Sequence, residues 1–170
     1  MTNALDSFRC CKDDDIETFL RQKAFDFIDK SLCSVYLILD EDKFDEGLLV
    51  VDAFFTLSHK SLISNGISKT KIQRISGGFK HAEALHFVLI GQLGKHIYRQ
   101  KDGEYNSANI SSAEILDFAF DIIKASSNLI PCRFVLIECS KNEKVQKVYT
   151  DYGFQLLQED DPHDQFFKAL

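Results

Sequence analysis

Apolar residues recur at helical spacing from Ile16 through Phe19, Leu20, Ala24 and Phe27 to Ile28, which predicts a helix with one buried face opening at Asp13–Asp15. The three carboxylates at its start suit the positive end of the helix dipole. Ser34–Leu39 (SVYLIL) and Leu48–Leu57 (LLVVDAFFTL) are rich in β-formers and read as strands, with the acidic stretch Asp40–Glu46 as a hairpin loop between them. Residues 60–84 have weak periodicity and a Gly77-Gly78 break, and read as loop with one short helix. Leu85–Leu93 (LHFVLIGQL) reads as a strand in which Gly91 marks a bulge or a close backbone approach. Residues 95–110 read as a polar loop.

The clearest helix runs from Ser111 to about Ser127. Ser111 and Glu114 form a capping box, and Ile115, Leu116, Phe118, Ala119, Ile122 and Ile123 make the apolar face. Arg133–Cys139 is a short apolar strand. Ser140 and Glu143 make a second capping box for a helix that reaches Tyr152, where Gly153 supplies the left-handed terminus and Phe154 packs back. Phe154–Leu157 and Gln165–Leu170 read as closing strands in an antiparallel hairpin. A strand–helix–strand unit implies a parallel pair with a right-handed crossover. The fold class is therefore α/β: a mixed sheet with helices on both faces, in one domain over residues 1–170.

Composition adds bounds. With 45% hydrophobic and 27% charged residues and only two prolines, no segment reads as a linker. The five cysteines (Cys10, Cys11, Cys33, Cys132, Cys139) have no metal-ligand spacing and read as buried free thiols. The N-terminus lacks the basic flank and apolar core of a signal peptide, and no apolar run approaches the roughly 20 residues that span a bilayer. The expectation is a cytoplasmic protein with no membrane partner. Charge is uneven: Lys60–Lys101 holds eight basic residues and one acidic, Glu83, giving +7, so the rest of the net −6 chain carries −13. The basic middle reads either as a site for a local anionic ligand or as ordinary solvated surface.

The stretch from Asn142 through Tyr149 to Gly153-Phe154 resembles the GNAT superfamily of acetyl-CoA-dependent N-acetyltransferases, in which an Asn is followed seven residues on by a Tyr and then x-x-x-Gly-Phe. Val148 stands where most members carry Phe or Leu. The resemblance covers residues 85–170 well and 13–59 loosely, and implies a sheet splayed beside Leu85–Leu93 with acetyl-CoA in the gap. It puts pantetheine against the backbone of Gln92, Leu93, Gly94 and Lys95, with an N–H near Leu93 polarising the thioester carbonyl. It puts the pyrophosphate on the helix start at Ser111, Ser112 and Ala113. The family's glycines are missing there, since Ile110 and Ser112 fall where Gly is usual. The resemblance also implies that Asn142 lies near the cofactor and that Tyr149 protonates the departing thiolate, as a phenol within hydrogen-bond reach can. No metal is implied.

The general base is not selected by the sequence: Asp52, Glu83, His81, His86 and Glu138 all qualify by position. There is no phosphate loop of the GxxxxGK[ST] type, no HExxH and no supported Ser/His/Asp set. The leading expectation is an N-acetyltransferase, with a small-molecule or peptide amine ranked ahead of aminoacylated RNA because the chain is acidic overall. The other is a GNAT-like module of weak catalysis that binds CoA or a protein partner. A homodimer is compatible with either.

Overall fold

The computed structural model describes residues 2–170, with side chains from residue 4. The chain divides into two compact units, Met1–Leu57 with Gln92–Leu116 and Ser58–Gly91 with Asp117–Leu170.

The first unit opens with α1 (Thr2–Ser7), which the apolar pattern did not predict. Asp13 caps the next helix, its carboxylate accepting from the N–H groups of Asp15 and Ile16. The helical run continues through α2 (Asp14–Thr18), a π-helical turn (Phe19–Lys23) and α3 (Ala24–Asp29). Most of its predicted stripe is inside: Phe19, Leu20 and Ala24 pack with Phe8, Val51 and Phe54, and Ile16 and Phe27 are half-buried against them, whereas Ile28 at the far end is exposed. Phe8 meets Phe54 edge-on at 5.5 Å and Phe19 stacks on Phe54 at 6.1 Å. β1 (Ser34–Leu39) falls where expected and pairs antiparallel with β2 (Val51–Ile63). Asp40–Glu46 is not a plain loop. Asp40 caps a short helix, α4 (Glu41–Asp45), by accepting from the Lys43 N–H at 3.0 Å. β2 also starts later and runs longer than the apolar run predicted, because polar residues continue its alternation past Leu57.

The connection through residues 60–84 contains the one expected short helix, α5 (Lys69–Ile75), in the second unit. Seven residues cannot hold a helix alone. Ile72 and Ile75 anchor it on Leu85, Phe87, Phe134 and Leu136, each isoleucine contributing about 1.5–3 kcal/mol on full burial. β3 (Ala84–Lys95) is followed by a hairpin, β4 (Ile97–Arg99) and β5 (Tyr105–Ser107), inside the stretch expected to be loop. Then come α6 (Ser112–Ser127), β6 (Phe134–Ser140), α7 (Glu143–Asp151), β7 (Gln155–Gln158) and β8 (His163–Ala169).

The six-stranded sheet has the order β1-β2-β3-β6-β8-β7. β3 and β6 are parallel, while β1–β2, β6–β8 and β7–β8 are antiparallel, so the sheet is mixed. The closing hairpin forms as predicted, but its second strand lies against β6: Phe134–Ser140 pairs with Ala169–His163 throughout. In the second unit α5 covers one face of the sheet, and α7 lies on the other beside Cys139.

Candidate functional site

β3 and β6 share a short register, Val88–Ile90 against Val135–Ile137, although both strands run on beyond it. Past Ile137, β6 keeps its partners on β8 through Glu138–Gln165, Cys139–Asp164 and Ser140–His163. This is the splay that places polar backbone at an open strand edge.

In the first unit the end of β3 is tied to the start of α6. The Lys95 ammonium donates to the Ile110 carbonyl at 3.0 Å, and the Ala108 N–H donates to the His96 carbonyl at 2.9 Å. The Gln92 N–H goes to the hydroxyl of buried Thr56 at 2.9 Å, a partner the sequence did not disclose. Gly94 has a packing reason: a Cβ there would sit 2.7 Å from the Phe54 ring and closer still to Ile16. The side of Gly94 that lacks a Cβ therefore faces this core. Leu93 and Lys95 are half-buried.

The predicted capping box is present. The Ser111 N–H donates to Glu114 at 2.8 Å, and the Glu114 N–H donates to the Ser111 hydroxyl at 3.2 Å. These bonds hold the Glu114 carboxyl below its ordinary range. With the Ile115 N–H on the Ser111 carbonyl, this turn offers an anion the N–H groups of Ser112 and Ala113. These donors and Lys95 fit a diphosphate, which must share the turn with the Glu114 carboxylate.

In the second unit Tyr149 and Asn142 lie two turns apart on α7. The cap of this helix is Asn142, not Ser140: the Asn142 side chain accepts from the Lys144 N–H at 3.0 Å, while Ser140 is still in β6. Half of the Asn142 amide is thereby committed to the backbone. Gly153 takes φ +99° as predicted, and the Phe154 N–H returns to the Tyr149 carbonyl at 3.0 Å. The Phe154 ring meets Tyr149 edge-on at 6.0 Å. Burial, and secondarily Cys139, push the Tyr149 phenol up to about 12. The phenol is therefore protonated at neutral pH.

The base candidates separate by surroundings. His81 and Glu83 are exposed before β3, and His86 is an exposed partner of Ser61 at 2.8 Å. Burial, then Asp40, raise the Asp52 carboxyl, and burial lowers His96, whose Nδ1 accepts from the Arg9 N–H at 3.1 Å. Glu138 accepts from the Gln165 side chain at 2.9 Å and pairs with Lys60 at 3.4 Å. A pocket of about 350 Å³ lies at the amino ends of β3 and β6, lined by His59, Phe79, His86 and Arg133 among others; of the residues predicted for the site it holds the base candidate His86 and none of the cofactor-binding residues or Tyr149. The five cysteines are free, but only Cys10 and Cys139 are buried; Cys33 and Cys132 are half-buried and Cys11 is exposed. Among the described residues no helix is long and apolar enough to cross a membrane, and no group of three or more His, Cys, Asp or Glu is placed to hold a metal.

No protein-family model and no curated protein matches the sequence. Solved structures do match. AtaT complexed with acetyl-methionyl-tRNAfMet superposes with a TM-score of 0.71 at 17% identity, covering 97% of this chain and 86% of that one. A tyrosine-to-phenylalanine variant of the AtaT toxin, bound to the C-terminus of the antitoxin AtaR and to acetyl-CoA, gives 0.66 at 15% identity over 99% and 89%. A tyrosine-to-phenylalanine variant of KacT gives 0.69 at 17% identity over 97% and 86%. The fold is the GNAT fold. The α/β class, the mixed sheet and the flanking helices read from the order of elements, and the splay implied by the GNAT resemblance, are therefore found. The ranking of acceptors is not supported: the molecule bound to AtaT, a GNAT-fold neighbour, is acetyl-methionyl-tRNAfMet, an acetylated aminoacyl-RNA and not a small amine.

Proposed function

We propose that this chain is an N-acetyltransferase that moves the acetyl group of acetyl-CoA onto the α-amine of an aminoacyl-tRNA. The observation that carries the reading is Tyr149: a half-buried phenol, kept protonated, on the helix backing β6 at Cys139. It belongs to a fold whose solved neighbours include one with acetyl-CoA and one with an acetylated aminoacyl-tRNA. In this reading Tyr149 gives its proton to the departing sulfur. The Leu93 region of β3 donates to the thioester carbonyl. Ser112 and Ala113 receive the diphosphate with Lys95 beside them, and Asn142 lies near the cofactor.

Charge supports RNA despite the acidic total. Of the eight basic side chains between Lys60 and Lys101, Lys71, Arg74, Lys95 and Arg99 each hydrogen-bond a neutral oxygen, so these bonds leave their charge uncancelled. Such a segment attracts a phosphate backbone. A protein partner of the antitoxin kind, as AtaR is to AtaT, belongs to the same reading.

The experiment incubates the purified protein with labelled acetyl-CoA and a total pool of charged tRNA. The expected result is label on the aminoacyl group, lost on mild deacylation, with one thiol released per acetyl moved. Release of no thiol, with CoA still bound, would favour a binding module and overturn the reading.

A further inference from the structure

We infer that Glu138 is the group that receives the acceptor's amine and takes its proton, with Lys60 holding that place in the free protein. The inference rests on the acetyltransferase reading above.

Side chains alternate along β6. Phe134 and Leu136 point to the face covered by α5, where they pack with Ile72, Ile75 and Phe167. Glu138, two residues on, points the same way, opposite Gln165 as Leu136 is opposite Phe167. Cys139 points to the other face, beside Tyr149. Adjacent residues of one strand thus aim a carboxylate to one side of the sheet and carry the phenol on the other. They do so where the β3–β6 register has passed its last pair, Ile90–Ile137. The next residue of β3 is Gly91, which is exposed and has no side chain to fill the gap.

Acyl transfer to an amine needs this separation. The nucleophile arrives with protons to lose, and the leaving group departs in need of one. A base and an acid on the same side would neutralise each other. Glu138 is oriented by the Gln165 side chain at 2.9 Å, itself held by Gln158 at 2.9 Å, and Gln165 is only 4% exposed. The second partner of Glu138 is a cation, Lys60, at 3.4 Å from one carboxylate oxygen and 3.5 Å from the other. A pair this long, on side chains 38% and 28% exposed, is weak, so an incoming ammonium can replace it.

The atoms then balance. The acceptor's ammonium gives one proton to Glu138. The freed lone pair forms the C–N bond to the acetyl carbonyl carbon, the C–S bond breaks, and its electrons go to sulfur. Tyr149 supplies the sulfur's proton. The second proton lost from nitrogen restores the phenol through solvent, and Glu138 releases its own to solvent.

The test has a binding arm and a rate arm. A stable RNA hairpin carrying a 3′-amide-linked methionine is titrated into the protein without acetyl-CoA, once with a free amine and once N-acetylated. Wild type should prefer the free amine by roughly tenfold or more, the range of a charge-assisted hydrogen bond. Glu138→Gln, which keeps an oxygen to accept from Gln165, should bind both alike, while Glu138→Asp should keep part of the preference. In single turnovers with charged tRNA, Glu138→Gln should slow by about 10², with CoA affinity unchanged as the check on folding. Equal preference in wild type and Glu138→Gln, with rates within threefold, overturns the inference. If wild type acetylates a small amine and no charged tRNA, the RNA reading fails alone and Glu138 is judged on that amine by the same rate comparison. If wild type releases no thiol with any amine, both fall.

Discussion

Tyr149→Phe decides whether this protein is an enzyme of the proposed kind. The substitution removes one hydroxyl and keeps the ring, so the 6.0 Å edge-on contact with Phe154 and the turn closed by the Phe154 N–H are retained. With the phenol pushed up to about 12, roughly one molecule in 10⁵ carries a phenolate at pH 7, and the donor is fully loaded. Losing a positioned acid costs about 10²–10⁴ in rate, or about 3–5 kcal/mol of barrier. The assay is a single-turnover quench with acetyl-CoA and charged tRNA, which isolates chemistry from product release. CoA affinity should stay within twofold, because the loss belongs to the transition state. Stability gives an independent check. An unfolded tyrosine ionises near 10 and the folded one near 12, so the folded state binds the proton more tightly. Its contribution is full below pH 10 and is lost as pH rises from 10 to 12, on the order of 2–3 kcal/mol. Tyr149→Phe should remove that part of the alkaline decline in urea unfolding, while the part due to Tyr152, whose phenol is also raised, remains. Chemistry at the wild-type rate in Tyr149→Phe would refute the acid role outright.

Gly94→Ala should lower stability by about 1–3 kcal/mol, because the added methyl meets Ile16 and Phe54 in a filled core; a thermal melt equal to wild type would show that α2 can yield there. Asn142→Ala should cost about 1 kcal/mol by removing the α7 cap, whereas Asn142→Asp keeps the acceptor and the stability. A role near the diphosphate then reads out as weaker CoA binding in Asn142→Asp alone, and unchanged calorimetry would leave Asn142 as a cap only.

Legibility in the sequence followed the range of the interaction. β1 and the Ser111–Glu114 box were read to the residue, because alternation and capping are decided within four positions of the chain. Gly153 and Phe154 were read for the same reason, since a left-handed terminus needs glycine whatever surrounds it. The Ser140–Glu143 box obeyed the same spacing and was wrong: pairing with His163 keeps Ser140 in β6, and Asn142 becomes the next side chain able to cap. The α4 cap at Asp40 was hidden by an acidic stretch that reads equally well as a loop.

By itself the sequence determined the order of the longer helices and of the sheet's strands, most of the buried stripe of the first long helix, and a tyrosine two turns into a capped helix after an apolar strand, while α1, α4 and the β4–β5 hairpin were not read from it. The features it determined depend on periodicity and short-range hydrogen bonds, which the order of residues contains. Tertiary structure alone decided that β8 lies against β6, that Thr56 takes the Gln92 N–H, and that the Lys60 ammonium crosses 78 positions of chain to the Glu138 carboxylate. It also decided which of five base candidates has a neighbour fit to be displaced by an amine. Partners so distant in the chain leave no periodic trace, because strand pairing brings them together only after the sheet has chosen its order.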